Sequence, residues 1–432
     1  MHRKIDRPIL ITVIILIVAR FFISTVNDVD ASVINELRDR IADRNTKIQE
    51  LEKEIVKYQD DLEEVGKEKQ TLTSELKTLD ISRQKIGTDI RLTQSRINST
   101  GLQIQELSLN IGDKEGKIEK NTETIARTIR AINEIESDSL IEIILSNNNL
   151  SEFLDQIETL QQFQSNMRDD VKRLTFLKDD LEEKKGKSEK KKRELANFKS
   201  DLSDQKYVLD INRNEKNTLL KVTKNKESNY EKLLNEKIEA REAFERELSD
   251  LESQLIIEID PNKIPPAGKG VLAWPLDKIK VTQYFGNTRF AQSGGYKGKG
   301  HNGVDFRASS GTKVKTALTG IVKAVGNTDK VRGCYSYGKY VLVKHNNGLS
   351  TLYAHLSFIK VNKGDTVITG DTVGYSGNTG YSTGPHLHFA VYASQGVRIV
   401  RYGDYVKGKT NCGNAYIPVA PLNAYLNPLD YL

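Results

Sequence analysis

Apolar residues in the first half of the chain fall on alternating steps of three and four. Ile34, Leu37, Ile41, Ile48, Leu51, Ile55, Tyr58, Leu62 and Val65 keep that rhythm, with Arg44 filling one slot. This is the a/d seam of a coiled coil. The pattern resumes through Leu72, Leu76, Leu79, Ile86, Ile90 and Ile97, and again through Ile118, Ile125, Ile129 and Ile132. A second helical tract, dense in Lys and Glu, runs from about Leu174 to Leu255. Between the two lies 137–163, which is more apolar and less charged and holds the Asn147-Asn148-Asn149 break. Comparable arms of roughly 100 residues, or ~150 Å of helix each, predict an antiparallel hairpin with 137–163 at its tip. An exposed apolar tip would suit docking to another envelope protein; local packing of short helices is the plainer alternative.

The pattern changes after Pro261, Pro265 and Pro266, which with Gly268 and Gly270 end the helix and make a linker. Beyond Trp274 the text alternates as strands do. Lys280 to Phe285, Gly320 to Val325, Tyr340 to His345, Leu349 to His355, Val367 to Tyr375 and His386 to Tyr392 read as strands. Asn346-Asn347-Gly348 has the chemistry of a hairpin turn between two of them.

Composition sharpens that division. No proline occurs between Pro8 and Pro261, and only six of the 30 glycines and three of the 17 tyrosines precede residue 266. Proline and glycine cost about 3 and 1 kcal/mol in a helix interior, so the first part is written for helix. Charge divides the same way: Ala267 to Leu432 holds 20 Lys and Arg against 7 Asp, giving +13, while the remainder carries −7. The basic C-terminal domain favours a polyanionic partner such as a wall polymer. No aromatic-interleaved basic motif accompanies it, which argues against nucleic acid.

The N-terminus begins Met1-His2-Arg3-Lys4 and is then apolar from Pro8 to Val26, with few interruptions. That length spans a bilayer, and the basic flank belongs inside. We expect a retained membrane anchor, with a cleaved export signal as the alternative. In an exported chain the two cysteines, Cys334 and Cys412, suggest a disulfide; two free buried thiols are the other reading. The expected organisation is therefore a basic flank and anchor over 1–31, a coiled coil over 32–258, a linker over 259–270 and a mainly antiparallel β domain with an open groove over 271–432.

Five of the six histidines fall between residues 301 and 388. They lie in His301-Asn302-Gly303-Val304-Asp305, at His345, in Tyr353-Ala354-His355 and in His386-Leu387-His388. Residues two apart on a strand face the same side, so His386 and His388 would point into one groove. His301 and Asp305 sit on extended chain, because the glycines around them disfavour helix. His355 is expected to end a strand. His345 reads as a structural hydrogen-bonding residue. A catalytic zinc needs three protein ligands and an open position, and this set supplies them with histidines to spare. From Ala267 to Leu432 there is no glutamate, so the zinc-peptidase arrangement in which a Glu acts as base is unavailable to this domain. Histidine must handle the protons.

His301-x-x-x-Asp305, His355 after Tyr353-Ala354, and Gly384-Pro385-His386-Leu387-His388-Phe389 resemble the motifs of the lysostaphin/LytM-type zinc metallopeptidases, which cut peptide cross-links in bacterial peptidoglycan. The resemblance covers roughly 271–432. It implies a lysostaphin-like β domain, zinc (Zn2+) bound by His301, Asp305 and His388, and His355 and His386 as the catalytic pair. The segments Thr328–Ser336 and Gln395–Ile417 look like additions to that pattern. The long coiled coil is similar to the N-terminal regions of envelope murein hydrolases and their activators. The expectation is an envelope-anchored peptidoglycan endopeptidase for wall remodelling or division. A non-catalytic scaffold that recruits other hydrolases is the main rival, and an exported peptidase acting on protein is a third possibility.

Overall fold

The computed structural model of the chain describes residues 31–65, 70–136, 150–254, 259–286, 300–380, 384–406 and 409–432. The expected membrane segment and residues 137–149 of the predicted tip lie outside them. Among the described residues no helix is long and apolar enough to cross a membrane. Contacts divide the chain into one unit of residues up to Gln49 with Gln94–Ser200, and another of Glu50–Thr93 with Asp201–Leu432.

Four long helices make up the first part: α1 (Ala31–Val65), α2 (Leu72–Glu136), α3 (Leu150–Thr223) and α4 (Glu227–Gln254). Leu37, Leu51, Val65, Leu72, Leu79 and Ile86 are all buried and stand at multiples of seven, as a heptad seam requires. The seam fades later, where Ile129 is 53% exposed. Within the first unit, Arg38 pairs with Glu106 at 2.9 Å and Lys185 with Glu115 at 2.7 Å. Within the second, Arg91 meets Glu54 at 3.0 Å and Lys216 meets Asp80 at 2.6 Å. In both units α1 runs antiparallel to α2, and α2 antiparallel to α3.

The expected two-armed hairpin therefore has a third arm, because α1 folds back on α2. The sequence does not signal that reversal of direction. Residues 66–71 contain no proline, and Val65 and Leu72 are seven apart, so the heptad phase runs through the break undisturbed. The α3–α4 turn is equally unmarked: Lys224 and Asn225 take it with positive φ of 51° and 55°.

The rest of the second unit is a β domain. Its strands are β1 (Val281–Gln283), β2 (Val304–Arg307), β3 (Lys313–Lys315), β4 (Gly320–Asn327), β5 (Lys339–His345), β6 (Leu349–Ile359), β7 (Thr366–Val367), β8 (Thr372–Ser376), β9 (His386–Ala393), β10 (Arg398–Arg401), β11 (Tyr416–Val419) and β12 (Tyr425–Leu426). The main sheet runs β1-β2-β9-β6-β5-β4-β7, every pair antiparallel, with β12 on β9, β8 on β6 and β3 on β8. The predicted strand over Val367 to Tyr375 is broken into β7 and β8, which the turn containing Gly370 separates. The Asn346-Asn347-Gly348 turn forms as expected, with Gly348 at φ +88°.

Both faces of this sheet are covered. Leu387, Phe389 and Val391 of β9 join one core with Val304, Phe306 and Tyr353. Each such side chain contributes about 1.5–3 kcal/mol by leaving water. Ala390 and Tyr392 join the other core, to which α4 adds Phe244, Leu248 and Leu251. Cys334 and Cys412 form a disulfide within that second core.

Candidate metal centre

In the sheet Asp305 of β2 lies opposite His388 of β9, and His388 opposite Ala354 of β6. Because Leu387 and Phe389 turn to one core, His386 and His388 turn to the other face. Val304 and Phe306 leave Asp305 on that same face. Just before β2, His301 exchanges two backbone hydrogen bonds with Gly286, each 2.8 Å.

His355 reaches the face by another route. Val341 pairs with Tyr353 and Lys339 with Leu356, so Tyr340 alone stands opposite both Ala354 and His355. That is a β-bulge, the device by which a strand re-aims a side chain. The phase shift is visible in the core, where Tyr353 and Leu356 fall in the same cluster although three apart. His355 takes φ +58°, a left-handed conformation that costs a non-glycine residue about 1–3 kcal/mol. Its N–H donates to the Tyr337 carbonyl at 2.9 Å. The expectation that His355 ends its strand is thus corrected: the strand continues to Ile359, and a bulge rather than a terminus exposes the imidazole to the site.

The ring nitrogens are oriented from behind. His301 Nδ1 lies 3.0 Å from the Tyr284 carbonyl, His355 Nδ1 2.9 Å from the Thr379 carbonyl and His386 Nδ1 2.8 Å from the Gly384 carbonyl. A carbonyl only accepts, so each Nδ1 carries the proton and each Nε2 is left with its lone pair. His301 Nε2 is 3.1 Å from His388 Nδ1 and 3.4 Å from Asp305 Oδ1. His388 Nδ1 is 2.9 Å from the same Oδ1. Ligand atoms of His301, Asp305 and His388 all lie within 4.8 Å of one another. Two imidazole nitrogens and one carboxylate oxygen converging on one point fit a zinc ion. The His355 and His386 rings stand 4.7 Å apart beside them, and His386 Nε2 is 3.8 Å from Asp305 Oδ1. All five residues singled out in the sequence are brought together.

The electrostatics agree with that arrangement. Burial pushes the Asp305 carboxyl up, but His301, His386 and the hydrogen bonds to it hold it well below the usual range. Burial, then the neighbouring His386 and His388, push His355 well down, and burial lowers His388 as well. His355 and His388 are therefore neutral near pH 7, the form in which histidine binds metal or accepts a proton. His345 lies apart from them: it bonds the Thr319 carbonyl and the Thr351 hydroxyl, and burial lowers it to about 4.

His301, His355 and His388 are 3, 8 and 5% exposed. The site lies on the sheet face where α4 packs, and Glu245 of α4 is close enough for His301 to act on its charge. The sequence also gave no signal for two neighbours. Gly303 lies so near His388 that a Cβ there would stand 2.7 Å from Cε1. Tyr337 places its ring 6.0 Å from that of His388. Alternation along one strand does not report contacts made between strands and loops.

Residues 299–401 match the model of Peptidase family M23. The β domain is an M23 peptidase domain. A metalloprotease of Haemophilus influenzae is 40% identical over 125 residues, 28% of this chain and 25% of that protein. Peptidoglycan DD-endopeptidase ShyA of Vibrio cholerae is 45% identical over 89 residues, 21% of this chain and 19% of that one. Glycyl-glycine endopeptidase ALE-1 of Staphylococcus capitis is 41% identical over 96 residues, 22% and 25% respectively. The chain thus spans about a quarter or less of the length of these relatives. The M23 domain contains every one of the five converging residues.

Proposed function

We propose that this protein is a zinc-dependent endopeptidase of the bacterial envelope that hydrolyses peptide cross-links of peptidoglycan during wall remodelling or division. The observation that carries the reading is the convergence of His301, Asp305 and His388 beside a second histidine pair, His355 and His386, inside an M23 domain. Relatives named for peptidoglycan and glycyl-glycine cleavage support the substrate class. So does the +13 charge of residues 267–432, which suits an anionic wall.

His301, Asp305 and His388 would hold the zinc, and His355 and His386 would serve as the catalytic pair. Zinc bound there would polarise the scissile carbonyl and lower the pKa of a bound water. The backbone carbonyls behind His355 and His386 keep each Nδ1 protonated, so each Nε2 is positioned to accept a proton. One of the pair takes a proton at Nε2, and a proton delivered from the pair to the departing amine completes the cleavage. The apolar Pro8–Val26 segment would tether the chain to the membrane, and 137–163 would offer an envelope partner its docking point. The helices packed over the centre are read as a restraint on substrate access.

The test is digestion of purified peptidoglycan by the full chain, with and without chelator. New amino termini in the released muropeptides, lost on chelation and restored by zinc, are the expected result. Zinc binding and new termini both absent would favour the scaffold reading, and cleavage of glycine-rich polypeptide without wall cleavage would favour the exported peptidase.

A further inference from the structure

Three tyrosines, Tyr337, Tyr392 and Tyr425, pack behind the histidines. Tyr337 touches the centre three ways. Its carbonyl receives the His355 N–H that closes the bulge, its ring faces His388 at 6.0 Å, and its hydroxyl accepts a 3.2 Å bond from Asn302 Nδ2. Asn302 directly follows His301. Behind Tyr337, the rings of Tyr392 and Tyr425 stand 4.8 Å apart, and the Tyr425 hydroxyl donates to Glu252 of α4. Glu252 is 4% exposed and also accepts the Ala420 N–H at 3.3 Å. Burial pushes the Tyr337 phenol up, and the Glu252 charge pushes it further, so that phenol stays protonated and available as a hydrogen-bonding group.

A carboxylate placed this deep is costly to desolvate, and in a core that only needed filling an apolar residue would be as stable or more so. We propose that Tyr337 is a positioning residue for the metal centre and that Glu252, across the tyrosine cluster, fixes it, making α4 a working part of the catalytic unit. The inference rests on the zinc reading of the site. Tyr337 acts on three of the histidines at once: it steadies the bulge under His355, packs on His388 and holds the residue beside His301. Outer-shell partners of this kind alter metal affinity when removed, typically by 10–100-fold.

The experiment uses the full chain with its disulfide intact and compares wild type with Tyr337→Phe, Glu252→Gln and the double variant. Tyr337→Phe deletes one hydroxyl and keeps the packing. Tyr425→Phe replaces Glu252→Gln if the latter does not fold. Zinc affinity is measured by competition with a chromophoric chelator, and the visible spectrum of the cobalt-substituted protein reports ligand geometry. The expected result is zinc affinity weakened roughly 10–100-fold in each single variant, a changed cobalt spectrum, and a double variant little worse than the weaker single. Zinc affinity within about twofold of wild type and an unaltered cobalt spectrum would overturn the inference, whatever happens to the melting temperature. A wild-type chain that binds no zinc would instead sink the metal reading, and this inference with it.

Discussion

At the scale of single residues the tightest constraint is at Gly303. A Cβ built there would lie 2.7 Å from both His388 Cε1 and the Phe389 carbonyl oxygen. The carbonyl belongs to a central strand and cannot retreat, so the imidazole must. Gly303→Ala is expected to displace His388 and lower zinc affinity at least 10-fold, the scale of an outer-shell defect, and to lower melting as well, because the fixed Phe389 carbonyl is met at the same distance. Isothermal titration with zinc checks this, and unchanged affinity would show that the ring has room to adjust. The residues of the site were legible in the sequence because their spacing is local: two apart for His386 and His388, four apart for His301 and Asp305. Gly303, Asn302 and Tyr337 were not, because what matters about them is contact with other strands and loops.

At the scale of elements, alternation named the face of β9 correctly and missed the bulge in β6. A bulge adds one residue without changing composition, so a local pattern cannot distinguish it from a strand end. The helices present the same difficulty in charge. Glu75 of α2, Glu215 of α3 and Lys237 of α4 line a cavity of about 730 Å³ with Asp329 and Lys339 of the β domain. Burial pushes the Glu215 carboxyl up to about 7; Lys339 and Lys237 oppose the shift, and Glu75 and Asp329 add to it. Its ordinary value is 4.5. Below that pH both folded and unfolded forms are protonated, and the group has no effect. Between 4.5 and about 7 only the unfolded form ionises, so folding loses stability as pH rises, by up to about 3 kcal/mol. Above about 7 the loss is constant. Glu215→Gln is therefore expected to melt higher than wild type at pH 8 and level with it near pH 4. A constant difference across that range would remove Glu215 as the source.

At the scale of the whole molecule, part of the helical region groups with the β domain. The second unit takes in Glu50–Thr93 and Asp201–Gln254 together with the β domain, and two kinds of contact join them. One kind is α4, whose Glu252, Phe244 and Leu248 lie in the core behind the site. The other is a latch that α2 and α3 make on the β domain. There Ile86 and Val208 pack on Tyr375, Lys360 pairs with Asp204 at 2.7 Å, and the Tyr375 hydroxyl bonds the same carboxylate at 3.3 Å. If α4 supports the centre while α2 and α3 restrain access to it, the two sets of contacts should respond oppositely to mutation. Val208→Asp with Asp204→Ala removes the apolar seat and the ion pair but leaves α4 untouched. A buried valine is worth roughly 1.5–3 kcal/mol, so wall hydrolysis is expected to rise by about tenfold, the factor that 1.4 kcal/mol represents. Limited proteolysis within 201–223 should accelerate in parallel, which reports release directly. Faster proteolysis with hydrolysis unchanged would mean that the latch holds the helices without restraining the enzyme. Hydrolysis that falls would mean that α2 and α3 support the centre as α4 does.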